Sequence, residues 1–394
     1  MSWIRGRATG ARGSGTGLAS GGEATAEPQA TPGPAVRPAP VEPPAGMIRR
    51  NLATLDPGYF AWVMGTGIVS VGAKLFGFLV LSRVLFGVTA AAYVILVVAY
   101  TSRAILFWPF FRRSLLEPTT AMGFFTIVAG TNVLGIRFAM AGYPTVTLGL
   151  AAAGALVWLV LTYGLPWSVV AEAHRPVLGE VNGTWLIWVV ATQSLSIVAA
   201  LLAPTAPSEG LRMALPDVAV VLWGVGLMLY LILIVVIFMR LVLVEVTPAE
   251  MGPAYWIAMG ATAITARAAA GILVLHGHTS AVLVADLRPF LVGFSVVLWS
   301  FGTWWIPLLV LFGLWRYVLR HYPWAYEPRL WSVVFPLGMY TVASETLGRA
   351  TGLTFMVSVA RVWLWVGVAA WAAVTLLMVA AGVMAVARNQ RNAS

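Results

Sequence analysis

The sequence predicts an all-α protein that crosses a membrane many times, and three observations lead to this fold class. Of the 394 residues, 60% are hydrophobic and 10% are charged, against roughly a quarter charged in ordinary globular proteins. The mean hydropathy is +0.88. Apolar stretches approach the roughly 20 residues that cross about 30 Å of hydrocarbon, and they recur along the chain. This composition excludes a soluble enzyme.

The chain divides into three parts by composition. Residues 1–46 are rich in Gly, Ala, Pro, Ser and Thr, which cannot bury enough apolar surface to fold. They also lack the continuous apolar stretch of a signal peptide. We expect a disordered cytoplasmic tail over 1–46, a ten-helix membrane domain over 47–388 and a short cytoplasmic tail over 389–394.

Ten hydrophobic segments follow the first tail, and each predicts a membrane-spanning helix. With the N-terminus inside, eleven cations from Arg49 onward fall on the cytoplasmic side, namely Arg49, Arg50, Arg112, Arg113, Arg175, Arg240, Arg316, Arg320, Arg329, Arg388 and Arg391. Seven fall on the other side, namely Lys74, Arg83, Arg137, Arg212, Arg288, Arg349 and Arg361. This excess favours cytoplasmic N- and C-termini, and an even number of spans agrees with it. The predicted spans are 57–77, 83–108, 119–138, 145–170, 182–203, 216–240, 253–275, 288–318, 330–348 and 358–387.

Polar residues are unevenly distributed among these segments. The odd-numbered spans carry small and polar residues, whereas the even-numbered spans are mostly apolar, as between Val218 and Met239. A hydroxyl, amide or charge inside a bilayer needs a partner or a water-filled cavity. The alternation therefore predicts five tandem helical hairpins around a central pore, each with one polar inner helix and one apolar outer helix.

Charge and motif content narrow the function classes. The net charge of +10 lies mainly in loops, where it indicates membrane orientation and not nucleic-acid binding. The chain has no cysteine, and no span has paired His ligands or a Gly-x-Ser-x-Gly motif. We expect no catalytic residue, no metal and no cofactor; a membrane-embedded enzyme is the less favoured alternative.

Three sequence blocks carry a resemblance to a known family. They are PGYFAWVMGTGIVS at 57–70, YWIAMGATAIT at 255–265 and WSVVFPLGMY at 331–340. The first resembles the signature of the tellurite-resistance/dicarboxylate transporter family, which includes tellurite-resistance permeases, malate and sulfite transporters and plant slow anion channels. The other two resemble its bacterial C4-dicarboxylate branch. The resemblance covers about residues 55–385.

This resemblance implies an inner-membrane transporter or channel for small anions, with malate and succinate as the first expectation. It also implies a homotrimer in the lipid bilayer, with one pore in each subunit, and a pore-blocking phenylalanine on the ninth helix. The best match for that gate is Phe335, directly before Pro336. The alternative is a proton-coupled carrier of tellurite, sulfite or dicarboxylate with alternating access.

We expect the pore-lining residues to come from the odd-numbered spans. The alternative for the glycines is close helix packing, and for the hydroxyls and amides it is hydrogen bonding between helices. The candidates are Phe60, Met64, Gly65, Thr66, Gly67, Thr131, Asn132, Gln193, Thr262, Thr265 and Met339.

A charged group of three residues stands out within the seventh and ninth spans. An unpaired guanidinium at the depth of Arg267 costs at least a few kcal/mol. Arg267 therefore attracts an anion, pairs with Glu345, or extends to the membrane surface. Arg349 follows Glu345 by one helical turn and can pair with the same carboxylate. Glu345 is also the candidate for proton coupling.

Overall fold

The structure is a computed structural model that describes residue 44 and residues 46–172, 178–275 and 281–393. The predicted tail over 1–46 lies almost entirely outside the described residues. The predicted C-terminal tail is helical as far as Ala393.

Long helices dominate the described part of the chain, which contains no strand. Each of the ten predicted spans overlaps one α-helix of 15 or more residues. Three shorter α-helices lie before or between them, at Met47–Ala53, Trp108–Leu116 and Pro118–Ala121. The long helices are α1 (Ala61–Leu75), α2 (Leu79–Leu106), α3 (Phe125–Met140), α4 (Pro144–Glu172), α5 (Ile187–Leu202), α6 (Glu209–Leu243), α7 (Ile257–Leu273), α8 (Ala281–Leu314), α9 (Trp331–Thr351) and α10 (Thr354–Ala393).

Among the described residues, eight helical segments are long and apolar enough to cross a membrane. They confirm the prediction of an all-helical, multi-pass membrane protein. Helices α1 and α9 are not among these eight segments. The count of ten spans therefore stays a prediction.

The long helices pack in two layers. Helices α1, α3, α5, α7 and α9 each contact the next, and α9 contacts α1, so these inner helices form a closed ring. Each inner helix also packs against the outer helix that follows it in the chain. In their most apolar stretches, α3, α5 and α7 are 83–89% buried, whereas the outer helices are 11–39% buried. The polar helices are thus the buried ones, as the bilayer requires of polar groups.

Every inner helix begins with a short 3₁₀ turn that runs directly into it. The turns touch one another in the same circular order as the helices, which closes a second ring. The approach is closest at Gly183, where an added Cβ would lie 2.2 Å from the carbonyl oxygen of Ala254. Only glycine fits there. The turns are Pro57–Phe60, Met122–Phe124, Gly183–Leu186, Pro253–Trp256 and Pro328–Leu330.

Three outer helices have a buried arginine at their C-terminal end, which we call the clamp arginines: Arg103 and Arg240 lie in the last turns of α2 and α6, and Arg316 lies in the turn directly after α8. Each is 2% exposed and donates to a backbone carbonyl just before the inner helix of its own hairpin. Arg103 Nε donates to Ala53 at 3.0 Å, Arg240 Nε to Gly179 at 3.3 Å and Arg316 Nη1 to Met251 at 3.2 Å. The clamp arginines thereby tie the two ends of three hairpins together.

Candidate functional site

A cavity of about 760 Å³, the vestibule, opens where the C-terminal ends of the inner helices meet. All five inner helices contribute to its wall. One lining residue from each, in ring order, is Leu75, Met140, Ile197, Gly271 and Thr346. The vestibule is therefore coaxial with the ring of inner helices.

The charged side chains of the vestibule are mostly cationic. Lys74, Arg267 and Arg349 line it together with one carboxylate, Glu345, so three positive charges and one negative charge leave a net charge of +2. Arg349 Nε donates a hydrogen bond to Glu345 Oε1, and Glu345 also interacts electrostatically with Arg267. Lys74 Nζ donates to the carbonyl of Met140. This arrangement attracts anions and holds one fixed carboxylate among the cations.

A much smaller polar recess lies at the opposite, N-terminal ends of the inner helices. Its volume is about 20 Å³, which is room for about one water molecule. Hydroxyls of Thr126, Thr184 and Ser332 line it together with Asp56 and Arg329. Because the 3₁₀ turns abut one another at this end, the N-terminal recess is far narrower than the vestibule.

Phe335 lies on α9 between the two cavities. It is one turn after Ser332 and about three turns, or roughly 16 Å, before Thr346, so it shares the face of α9 on which Thr346 lines the vestibule. The ring is 2% exposed and belongs to the apolar core. Pro336 packs against α7, where a Cβ on Gly260 would lie 2.9 Å from the proline Cγ.

Several predicted pore-lining residues have contacts with outer helices. Thr66, Thr131 and Gln193 bond to outer helices through a hydroxyl or amide group, as the alternative of bonding between helices expects. Thr262 lies close to α8 but bonds to the Met259 carbonyl of its own helix. The Thr66 hydroxyl accepts a hydrogen bond from Trp371 Nε1 at 3.1 Å, and the Thr131 hydroxyl bonds to the Tyr93 hydroxyl at 3.1 Å. The Gln193 amide donates to the Trp223 carbonyl at 3.0 Å. A Cβ added to Gly302 would lie 2.3 Å from Thr262 Oγ1.

The remaining candidates lie at contacts inside the ring or beside it. Met64 and Met339 are buried in the same apolar core as Phe335. The rest contact neighbouring helices. An added Cβ would lie 3.2 Å from the Trp331 side chain at Gly65 and 2.5 Å from the Val133 side chain at Gly67. Asn132 Nδ2 donates to the Ser194 hydroxyl at 2.9 Å, and the Thr265 carbonyl accepts from Trp223 Nε1 at 3.1 Å. The Phe60 ring meets the Tyr100 ring edge-on, with 5.2 Å between the ring centres.

The sequence interpretation missed two parts of this site. Lys74, the single lysine of the chain, was expected only as an orientation charge, yet it lines the vestibule. The hydroxyl residues of the N-terminal recess were not among the candidate pore-lining residues, although Thr126 and Thr184 belong to the polar residues of the odd-numbered spans. A signal was present, because Ser332 lies inside a recognised block and Thr184 directly follows a glycine at the start of a span.

The closed ring of buried polar helices, with a polar cavity at each end, defines a multi-pass membrane protein of the channel or transporter class. Residues 54–379 match the model of the SLAC1 family, described as voltage-dependent anion channel. The chain belongs to this family. Its resemblance to anion transporters and channels is thereby confirmed.

Known relatives are consistent with this class. An uncharacterized membrane protein of Mycobacterium tuberculosis is 45% identical over 132 residues, which are 34% of this chain and 66% of that relative. An uncharacterized transporter of Methanocaldococcus jannaschii is 28% identical, with 73% of this chain and 82% of the relative covered. A sulfite efflux pump of Arthroderma otae is 21% identical, with 80% and 89% covered.

Proposed function

We propose that the chain moves small anions through a passage along the axis of the inner ring, closed at Phe335. One observation carries the proposal: a cationic vestibule and a hydroxyl-lined recess lie at opposite ends of the same five helices, with a buried aromatic ring between them. An aromatic at a constriction excludes ions by its bulk and by dewetting. Rotation of that ring opens the path.

The passage runs along the helix faces that point away from the outer helices. This placement is supported by the bonds of Thr66, Thr131 and Gln193, which use the opposite faces. Met64 and Met339 then line the closed middle section beside Phe335. These hydroxyl and amide groups, which are costly to expose to lipid, bond the inner helices to the outer helices. The axis between the inner helices is therefore left apolar.

The substrates we propose are C4-dicarboxylates such as malate and succinate, with sulfite as the second candidate. A net vestibule charge of +2 suits an anion that carries two charges. Sulfite is favoured by the relative named as a sulfite efflux pump. We further propose an inner-membrane homotrimer with both termini in the cytoplasm, which places the vestibule on the outer side.

Anion flux into liposomes tests the proposal most directly. The purified full chain is reconstituted, and uptake of succinate, malate, sulfite, nitrate and chloride is measured for wild type and Phe335→Ala. We expect flux above that of protein-free vesicles and a gain of about tenfold or more in Phe335→Ala, because the constriction loses its ring. The matched control is Phe290→Ala, whose ring is 49% exposed on α8 and whose flux stays at the wild-type level. Absence of flux in both wild type and a folded Phe335→Ala protein contradicts the proposal.

Glu345 distinguishes a channel from the proton-coupled carrier. Its side chain is 3% exposed and pairs with Arg349 inside the vestibule, so a proton on it changes the local charge. A carrier that uses this proton loses its pH-driven uptake in Glu345→Gln. A channel keeps its pH profile and gains anion flux, since the fixed competitor of the anion is gone. Uptake of succinate across a pH series in both proteins separates the two mechanisms.

A further inference from the structure

A second cationic groove lies outside the vestibule, at the turn that joins α9 to α10. Its volume is about 700 Å³. Arg349 and Arg361 line it together with the hydroxyl residues Thr354 and Ser358. We call it the arginine groove. No acidic residue is among the side chains that line it.

Three of these residues lie on one face of α10. Thr354, Ser358 and Arg361 are spaced i, i+4 and i+7, so their side chains stack along the same side of the helix. All three are exposed. Arg361 has no hydrogen-bond or ion-pair partner within the part of the chain that the structure describes. An arginine left in this state next to two hydroxyls offers five N–H donors to an external ligand.

Arg349 supplies the opposite wall of the groove. Only its Nε atom meets Glu345, and 66% of its side chain is exposed. The guanidinium thus keeps further N–H groups available on the groove side. Two guanidinium groups with adjacent hydroxyls match the oxygen atoms of a phosphate, which arginine binds with charge-assisted hydrogen bonds.

The surroundings of the groove indicate where that phosphate comes from. Exposed apolar side chains flank it on α10, namely Phe355, Val362 and Trp365. Exposed aromatic and aliphatic residues beside a cationic cluster at a helix end are typical of the boundary between headgroups and hydrocarbon. A lipid bound here would place its phosphate between the arginines and its chains against this apolar surface.

We propose that the arginine groove binds the phosphate of an anionic phospholipid. Because Arg349 borders both the groove and the vestibule, the bound headgroup shares this guanidinium with Glu345. The site stands independently of the proposed transport, since binding is measured without any flux.

Thermal unfolding in nanodiscs tests the proposal. The full chain is placed in phosphatidylcholine nanodiscs with or without added phosphatidylglycerol. We expect phosphatidylglycerol to raise the melting temperature of wild type, with an apparent affinity about fivefold weaker in Arg361→Gln. Arg361→Lys keeps the charge and retains part of the effect. The matched control is Arg212→Gln, an exposed arginine at the start of α6 on the same side, which responds as wild type does.

The other outcomes are equally distinct. Inorganic phosphate added to the detergent-solubilised protein separates a lipid from a soluble source: an Arg361-dependent shift with phosphate alone supports the phosphate site and assigns it to a free anion. Equal responses of wild type and Arg361→Gln to phosphatidylglycerol overturn the proposal. A change of oligomeric state in Arg361→Gln without any lipid effect also overturns it, in favour of a protein contact.

Discussion

Replacing the clamp arginine Arg240 by glutamine is expected to destabilise the fold strongly although the residue lies far from the vestibule. Arg240 lies in the last turn of α6 and is 2% exposed. Besides Gly179, its guanidinium donates to the carbonyls of Val244 at 3.2 Å and Glu245 at 3.3 Å. It also pairs with Glu250 at 3.3 Å. Glutamine cannot reach these partners together.

The magnitude follows from this set of contacts. Three hydrogen bonds to carbonyls at a net value near 1 kcal/mol each give about 3 kcal/mol. Removal of one partner of a buried ion pair costs about 3–5 kcal/mol. The Glu250 side chain is 47% exposed, so water can solvate it after the loss of Arg240. We therefore expect a decrease of about 3 kcal/mol in the free energy of unfolding, at the lower end of that range.

Unfolding of the purified protein by SDS in mixed micelles, followed by tryptophan fluorescence, measures this free energy. Arg103→Gln and Arg316→Gln are expected to lower the free energy of unfolding in the same way, because each removes the hydrogen bond from a clamp arginine to the backbone carbonyl before an inner helix. Arg212→Gln, on an exposed surface, provides the baseline for loss of one charge. If all three clamp variants stay within about 0.5 kcal/mol of that baseline, the clamp arginines do not hold the hairpins.

Three further outcomes are expected. Gly183→Ala forces the ring of 3₁₀ turns apart and lowers the free energy of unfolding by about 1–3 kcal/mol, whereas Gly224→Ala, inside α6 with open space around it, raises it by up to about 1 kcal/mol because alanine is favoured over glycine in a helix. Arg267→Gln lowers anion flux into liposomes, most strongly at low ionic strength, because screening hides the lost charge at high salt. Hydrogen bonds from the Thr247 backbone and hydroxyl hold the pKa of Glu250 below its ordinary value of 4.5. That carboxylate therefore stabilises the fold above its unfolded-state pKa and stops doing so as pH falls through the lower folded-state pKa. Melting temperatures between about pH 6 and pH 3 are expected to fall less in Glu250→Gln than in wild type.

The long helices and their division into buried and exposed sets could be predicted from the sequence. Length and apolarity determine which segments can cross a bilayer, and polar residues such as those of α5 require burial in protein. The direction of each polar group could not be predicted in the same way. Whether Thr131 turns to the axis or to Tyr93, 38 positions earlier, depends on how two helices rotate against each other.

The clamp arginines were beyond sequence reasoning for a different physical reason. Charge at the end of a span indicates orientation, and Arg240 and Arg316 were interpreted only in that way. Their bonds to Gly179 and Met251 join positions more than 60 residues apart. Such a contact exists only once the hairpin has closed, so no local pattern reveals it.

The ring of 3₁₀ turns narrows the space between the inner helices at one end, and the vestibule widens it at the other. The vestibule is wide enough for an ion with its water shell, whereas the N-terminal recess leaves room for about one water molecule. In the proposed passage, an ion would therefore lose its water shell only over a short distance near Phe335. Residues around the N-terminal recess would decide which ions cross, whereas residues around the vestibule would decide how fast ions arrive.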